Sequence, residues 1–266
     1  MELVFPPICV DCGLRMAEPS QPWLLCRSCR ELIQTDAELP ACPGCGLPRP
    51  AAPVSRVICL ECRRQRFRFN RVVALGLYRS HLRQVVVRMK QFHEFSLTAA
   101  VGMLLVDRLE RQLGASLPPV IVPIPKFWVK RVLRGTNTAE VLAETIARHP
   151  SHPTVLPALR CRKPTRKQSL LGKTERQRNL SGALQLVKGY DVDGADVLIV
   201  DDIMTTGATA NEAARVLSRA GARSITVAVV ARAARGREFP RPSAGHSTAK
   251  SPGHGPEVFG GSSRVE

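Results

Sequence analysis

The run DVLIVDDIMTTGATANEAARVL, residues 196–217, restricts the fold more than any other part of the chain. Val197 to Val200 are continuously apolar, which suits a strand covered on both faces rather than the alternating strand of a half-exposed sheet. Two carboxylates, Asp201 and Asp202, close that strand. Turn chemistry follows in Thr205, Thr206 and Gly207, then a helix over 208–220 that Gly221 stops. A strand feeding through a glycine turn into a helix is the first half of a crossover, and crossovers build parallel sheets.

The stretch from residue 70 onward repeats this alternation. VVALGLY (72–78) reads as a strand, and HLRQVVVRMKQF and LTAAVGMLLVDRLERQL read as amphipathic helices. Val85, Met89 and Phe92 fall at helical spacing, with His93 on the same helix as a surface or packing residue. PPVIVPIP (118–125) is a short apolar strand framed by prolines, TAEVLAETIARH (138–149) a helix, TVLPALRC a further strand, and SITVAVVAR (224–232) the last one. The expected fold is α/β, a mostly parallel sheet with helices on both faces over 70–234. In such sheets ligands bind beyond the carboxyl ends of the strands. Both VPIP followed by Lys126 and the Asp201–Asp202 turn lie at such ends. The tail, 235–266, turns to Pro, Gly, Ser, His and Arg and is expected to be disordered.

The front of the chain is different in kind. Eight of the nine cysteines fall in the first 62 residues as four C-x-x-C pairs: Cys9/Cys12, Cys26/Cys29, Cys42/Cys45 and Cys59/Cys62. They form two repeats with a period of 33 residues, each reading C-x-x-C-G-L, and then C-x-x-C-R after 13 intervening residues. Two thiolates separated by two residues can wrap one ion, and Gly13 and Gly46 permit the tight turn of a zinc knuckle. Each repeat supplies a full tetrahedral set, so two structural zinc sites are expected within 1–69, paired within repeats. Disulfides and iron–sulfur clusters are the rivals, the first disfavoured in a reducing compartment. The leftover Cys161 has no partner spacing and reads as an ordinary thiol.

Charge sets a direction but not a function. The formal net charge is +17, and residues 121–190 carry fourteen Lys and Arg against three acids. Residues 191–266 balance at nine each, and 1–70 carry nine basic and seven acidic residues. A basic stretch beside a neutral body fits an anionic partner, whether phosphate-rich small molecules or nucleic acid. No run of eighteen apolar residues and no charged start with a long apolar stretch are present, so a cytoplasmic protein without a membrane span is expected.

Three roles compete for the two aspartates. A Walker B carboxylate would need a P-loop, and the GKT at Gly172–Thr174 has Lys167 where the first glycine belongs. Acid–base work by adjacent strand residues is disfavoured because their side chains leave on opposite faces. The remaining role is binding. Thr205, Thr206 and Thr209 offer hydroxyls and the run offers successive backbone N–H groups at a helix N-terminus, with Gly207 allowing close approach, which makes a phosphate cradle. Carboxylates suit vicinal hydroxyls, so the pair beside the cradle describes a ribose 5-phosphate site.

The thirteen residues VLIVDDIMTTGAT closely resemble the phosphoribosyl diphosphate (PRPP) signature of type I phosphoribosyltransferases. With the cysteine repeats in front, the chain is similar to the ComF family, which is associated in some bacteria with DNA uptake during competence. VPIPKFWVKRVLRGTN resembles a second segment of that family, and Thr165, Gln168, Leu171, Arg176, Asn179 and Ala183 keep the spacing of a third. The resemblance implies a double zinc ribbon over 1–69 and a type I phosphoribosyltransferase domain over 70–234. It implies that Asp201 and Asp202 hold the ribose hydroxyls and a Mg²⁺ chelated by PRPP, and that Thr205, Thr206, Gly207, Ala208 and Thr209 bind the 5-phosphate. Lys126 is the implied pyrophosphate contact, followed by Arg131 and Arg134, and Arg176 would reach phosphate from a mobile segment at 160–178. Thr136 and Thr138 stand where the family has an aromatic residue and a glutamine, which puts a contact by that glutamine in doubt. Thr205 stands where 6-oxopurine enzymes keep an aspartate, which weakens a purine-salvage reading. Two functions follow as expectations: a pentosyl transferase using Mg-PRPP with an unidentified acceptor, or a non-catalytic competence factor. The second would bind single-stranded DNA or competence proteins and sense PRPP.

Overall fold

The structure is a computed structural model that describes residues 7–16, 24–37, 39–49, 59–126, 137–151, 153–162 and 182–234. Its elements are α1 (Arg27–Ile33), α2 (Leu60–Arg64), β1 (Arg71–Leu77), α3 (Ser80–Arg88), α4 (Phe95–Leu113), β2 (Val120–Pro123), α5 (Thr138–Ile146), β3 (Thr154–Val155), β4 (Leu159–Cys161), β5 (Leu184–Leu186), β6 (Asp196–Met204), α6 (Ala208–Arg219) and β7 (Ser224–Arg232). Five strands form one sheet in the order β1-β7-β6-β2-β3, every pair parallel. No helix among the described residues is long and apolar enough to cross a membrane.

Alternation along the strands fills both faces, which is why they are apolar throughout. Val73, Ile121, Leu198, Val200, Ala228 and Val230 pack with α3, α4 and α5. Val72, Val122, Val197, Ile199, Val227 and Val229 pack with Ala213, Ala214 and Leu217 of α6 and with Leu159 and Leu184. The helices thus cover opposite faces, as the continuous apolar runs require.

Chain direction then locates a crevice. From β6 the chain passes through α6 to β7, toward β1; from β2 it passes through α5 to β3, toward the other edge. The two crossovers part between β2 and β6, and ligand crevices of open α/β sheets form at such a reversal. Pairing of β2 with β6 ends at Pro123↔Val200, closed by the Ile124 N–H donating to the Val200 carbonyl at 2.9 Å. Pairing of β6 with β7 continues to Met204↔Arg232. Past Val200, β6 is paired on the β7 side alone, and Asp201 is the first residue of that one-sided stretch.

Several expectations are corrected by tertiary contacts. The helix expected to run through residue 92 stops at Arg88, and residues 89–94 turn back into α4. The Arg88 guanidinium grips the Glu94 carboxylate (Nε–Oε1 3.0 Å) and closes that corner. Phe92 is consequently 65% exposed against the edge of Phe95, and His93 lies exposed in the turn. TVLPALRC divides at Pro157, which has no N–H to give a ladder. Its first part joins the sheet as β3, whereas β4 pairs antiparallel with β5, a three-residue strand the sequence pattern does not announce. Strand β6 runs two residues past the carboxylates because β7 still pairs with it. The 235–266 tail lies outside the described residues.

The cysteine repeats fold alike. Bridges Ile8↔Arg15 and Ala41↔Pro48 stand 33 residues apart, and Gly13 and Gly46 both take positive φ, +73° and +70°. In each, the third cysteine (Cys26, Cys59) precedes the first turn of a helix.

Candidate functional site

The eight repeat cysteines gather as two clusters, Cys9, Cys12, Cys26, Cys29 and Cys42, Cys45, Cys59, Cys62, with ligand atoms within 4.8 Å of one another in each. All are unbridged. Around an ion with Zn–S bonds of ~2.3 Å, a tetrahedron has edges of about 3.8 Å. The sulfurs of Cys12 and Cys26 stand 3.9 Å apart, those of Cys42 and Cys62 3.8 Å, and those of Cys45 and Cys59 3.3 Å. Such spacing fits one zinc-sized ion per cluster; an iron–sulfur cluster, several atoms across, would hold its thiolates farther apart. Four protein ligands leave no position for substrate, so the chemistry of these sites is structural.

The first cluster is built into the main core. Leu25 and Ile33, 0% and 1% exposed, join the apolar cluster of α3 and α4. Each such side chain contributes about 2 kcal/mol by burial. Asp11, between the first two ligands, is clasped by Arg88 (Oδ1–Nη1 2.9 Å) and His81 (Oδ2–Nε2 2.6 Å). Burial alone would raise this carboxyl, but His81 and Arg88 hold it below the usual carboxylate range. Arg79 makes a parallel clasp on Asp36 at 2.9 Å.

The second cluster forms a small apolar group of its own with Leu47, Phe67 and Ala234. It covers the edge strand β1, whose Val72 N–H donates to the Pro43 carbonyl at 2.8 Å. Arg232, 2% exposed, spans from this cluster to β6. Its Nε donates to the Cys45 carbonyl at 2.7 Å, and its Nη1 to the carbonyls of Met204 (3.0 Å), Ala233 (2.7 Å) and Thr205. Burial lowers its pKa, and the negative groups working against that are Cys45, Glu61, Cys59 and Cys62.

At the crevice itself, Asp201 and Asp202 are half-buried. The Asp201 carboxylate accepts the Asp202 N–H at 2.8 Å, and the Asp202 carboxylate meets the Lys90 ammonium at 3.3 Å. Burial and the neighbouring charge of Asp202 push Asp201 up to about 8, against the pull of Lys90 and Lys126. Two carboxyl groups and two ammonium groups thus lie close enough to act on one another. Lys126 follows β2 and donates to Thr138 Oγ1 at 3.0 Å; that hydroxyl in turn donates to the Met89 carbonyl at 3.4 Å. Thr138, in the place of the family's glutamine, therefore ties the end of β2 to the turn that carries Lys90. Asn137 caps α5 by accepting from the Ala139 N–H (3.3 Å) and donates its own amide to the Ile124 carbonyl (3.1 Å).

Thr205, Thr206 and Gly207 bridge β6 and α6. Gly207 has φ +77° and opens the helix; a Cβ there would stand 2.6 Å from Met204 Cε and 3.0 Å from Phe67 Cε1, so any other residue would be strained and would push on both side chains. The Thr206 hydroxyl accepts the Ala208 N–H at 3.3 Å. Ala208 and Thr209 form the first turn of the helix. Of the sequence candidates, Asp201, Asp202, Lys126 and residues 205–209 stand at neighbouring strand ends, whereas Arg131, Arg134 and Arg176 lie outside the described residues. Sequence reasoning missed Lys90 and Arg232, and took Thr138 only as a departure from the family pattern. A cation just after a helix is too common a feature to mark Lys90. Cys161 packs its thiol toward the Pro125 carbonyl at 3.5 Å, beside Lys126, as a half-buried residue of β4.

Residues 102–248 match the phosphoribosyl transferase domain family. Over 228 residues the chain is 30% identical to DNA utilization protein YhgH of Escherichia coli (strain K12), covering 85% of this chain and 96% of the relative. Competence protein F of Haemophilus influenzae is 29% identical over 79% of this chain and 90% of its own length. Competence protein ComFC of Bacillus subtilis (strain 168) is 29% identical over 74% and 79%.

Proposed function

The chain belongs to the ComF family of proteins with a phosphoribosyltransferase domain, and from that premise we propose that the crevice between β2 and β6 binds PRPP with Mg²⁺. The observation that carries this reading is the convergence of two carboxylates and two lysines beside a threonine-lined helix N-terminus at the point where the sheet reverses. The proposed division is a double zinc ribbon at 1–69, the transferase-like domain at 70–234 and a tail at 235–266.

In this reading the N-terminal turn of α6, with Thr205, Thr206, Gly207, Ala208 and Thr209, takes the 5-phosphate on backbone N–H groups and hydroxyls. Asp201 and Asp202 accept from the ribose hydroxyls. They also offer the hard oxygen donors that Mg²⁺ prefers, and the ion would draw charge from the diphosphate. Lys126, with Arg131 and Arg134 on the segment after it, takes the pyrophosphate. Lys90 joins them as an added cation, a role supported by its contact with Asp202. The segment that contains Arg176 leaves from β4 and returns to β5, and Gly182 at its end is tied to Glu212 of α6 at 2.8 Å. Displacement of pyrophosphate from the ribose carbon builds positive charge on the sugar, so the chain's residues act by positioning and charge compensation.

Calorimetric titration with PRPP tests this. One saturable Mg²⁺-dependent site is expected, weakened at least tenfold in Asp202→Ala; equal heats for both proteins, or none, would end the reading. A second reading, a DNA-handling factor in which PRPP is sensed, rests on the names of the relatives and on the basic 121–190 stretch. It requires single-stranded DNA affinity that falls steeply with salt, and salt-independent binding would exclude it.

A further inference from the structure

We propose that Arg232 is a positioning residue that makes the shape of the 204–207 turn depend on the metal-bound form of the second cysteine cluster. The buried guanidinium ties four carbonyls together, one from the metal-binding knuckle (Cys45), two from the turn after the carboxylates (Met204, Thr205) and one from the chain beyond β7 (Ala233). Among the described residues no carboxylate forms an ion pair with it. Its geometry is therefore set by backbone oxygens, and one of them belongs to a cysteine whose backbone is fixed when its sulfur is ligated.

A second contact runs beside the first. Phe67 packs on the cluster of Cys42, Cys45 and Leu47, stacks on Phe69 with ring centroids 4.7 Å apart, and closes against Gly207. The knuckle has little freedom to shift while keeping its fold. A Cβ at Gly46 would lie 2.8 Å from Val72 Cγ1 and 3.7 Å from Arg232 Cδ, so the knuckle backbone lies directly on β1 and on the arginine. Releasing the metal frees the Cys45 carbonyl, and the arginine that holds Met204 and Thr205 loses its fixed end. In the first knuckle Arg88 likewise takes backbone carbonyls, those of Asp11 (2.7 Å) and Val10 (3.1 Å). Its other partners, however, are the Asp11 and Glu94 carboxylates, and among the described residues it makes no hydrogen bond to the 204–207 turn.

The consequence for ligand affinity rests on reading residues 205–209 as the phosphate cradle, but the coupling itself does not. The test is therefore amide hydrogen exchange on the full chain without ligand, for wild type, Cys62→Ser, Arg232→Met and the double variant. Cys62→Ser removes one ligand of the second cluster, and zinc content by mass spectrometry verifies its loss. Each single variant is expected to speed exchange of the 204–208 amides at least tenfold while amides of α4 stay at wild-type rates. The double variant should be no faster than either single one, because both break the same link. Wild-type turn exchange in Cys62→Ser, or additive effects in the double variant, would overturn the proposal. If Arg232→Met does not fold, Arg232→Lys replaces it: one ammonium keeps the charge but cannot span Cys45 and Thr205, so the same non-additivity is expected. A failure of PRPP binding with this coupling intact would strike only the cradle reading.

Discussion

The two cysteine repeats share their ligand spacing, their bridge, their positive-φ glycine and the helix after the third ligand, yet they are held to the rest of the chain by different physics. The first sinks Leu25 and Ile33 into the core of α3 and α4 and adds carboxylate clasps at Asp11 and Asp36 to the bonds that Arg88 makes with the Val10 and Asp11 carbonyls. The second buries little beyond its own cluster and is fastened by backbone carbonyls to one arginine and one edge strand. Duplicated local sequence thus fixes the local fold, while residues between and beyond the ligands decide whether a repeat supports the core or touches the crevice.

The largest expected effect separates the two at their ligands. Structural zinc contributes on the order of 10 kcal/mol to such small modules. Cys29→Ser should therefore abolish the cooperative thermal transition of the whole chain, because its cluster shares the main core. Cys62→Ser should keep that transition, and metal content should fall from about two zinc ions per chain to about one. Equal losses of folding in both variants would erase the proposed asymmetry.

Next in size is Arg88→Met, which leaves Asp11, 3% exposed at its side chain, with His81 as its remaining clasp. Removing one partner of a buried ion pair costs about 3 kcal/mol, measurable by denaturant unfolding. A loss below ~1 kcal/mol would show that apolar contacts alone dock the first repeat.

The crevice should behave oppositely to both modules, since Asp201 is held at a cost. Its folded pKa lies near 8 against an ordinary 3.8, so between those values the folded chain keeps a proton that the unfolded chain has released. Stability then falls as pH rises through that window. Asp201→Asn should flatten the decline, raising Tm at pH 8 relative to wild type and changing it little at pH 4. A variant less stable than wild type at pH 8 would contradict this.

The smallest effect belongs to the exposed pair Arg27–Glu31 on α1, whose side chains are 86% and 64% exposed. Arg27→Ala should shift stability by no more than about 0.5 kcal/mol. A larger shift would mean that the first repeat depends on its surface as well as on its core.

The sheet and the acidic turn were legible in sequence because both depend on local pattern: continuous apolar strands, Gly207 at a left-handed position, threonines at a helix start. The cysteine spacing was legible for the same reason. What the sequence did not disclose arises from contacts between distant segments. Arg232 reads as the last residue of a strand, and only the fold brings Cys45 to it. Lys90 reads as the polar end of a helix that, without the Arg88–Glu94 corner, would have carried Phe92 into the core. Thr138 reads as a departure from a family pattern, and the structure gives its hydroxyl to Lys126. Strand β5 is three residues long and exists through its pairing with β4 rather than through any propensity of its own.

Amide exchange with and without Mg²⁺ and PRPP is the most direct test of the crevice as the phosphoribosyl site. Slower exchange is expected at the amides of residues 205–209, and at that of Lys126 beside them, with the amides of α4 unchanged. Protection elsewhere on the chain, or none at saturating PRPP, would contradict the assignment.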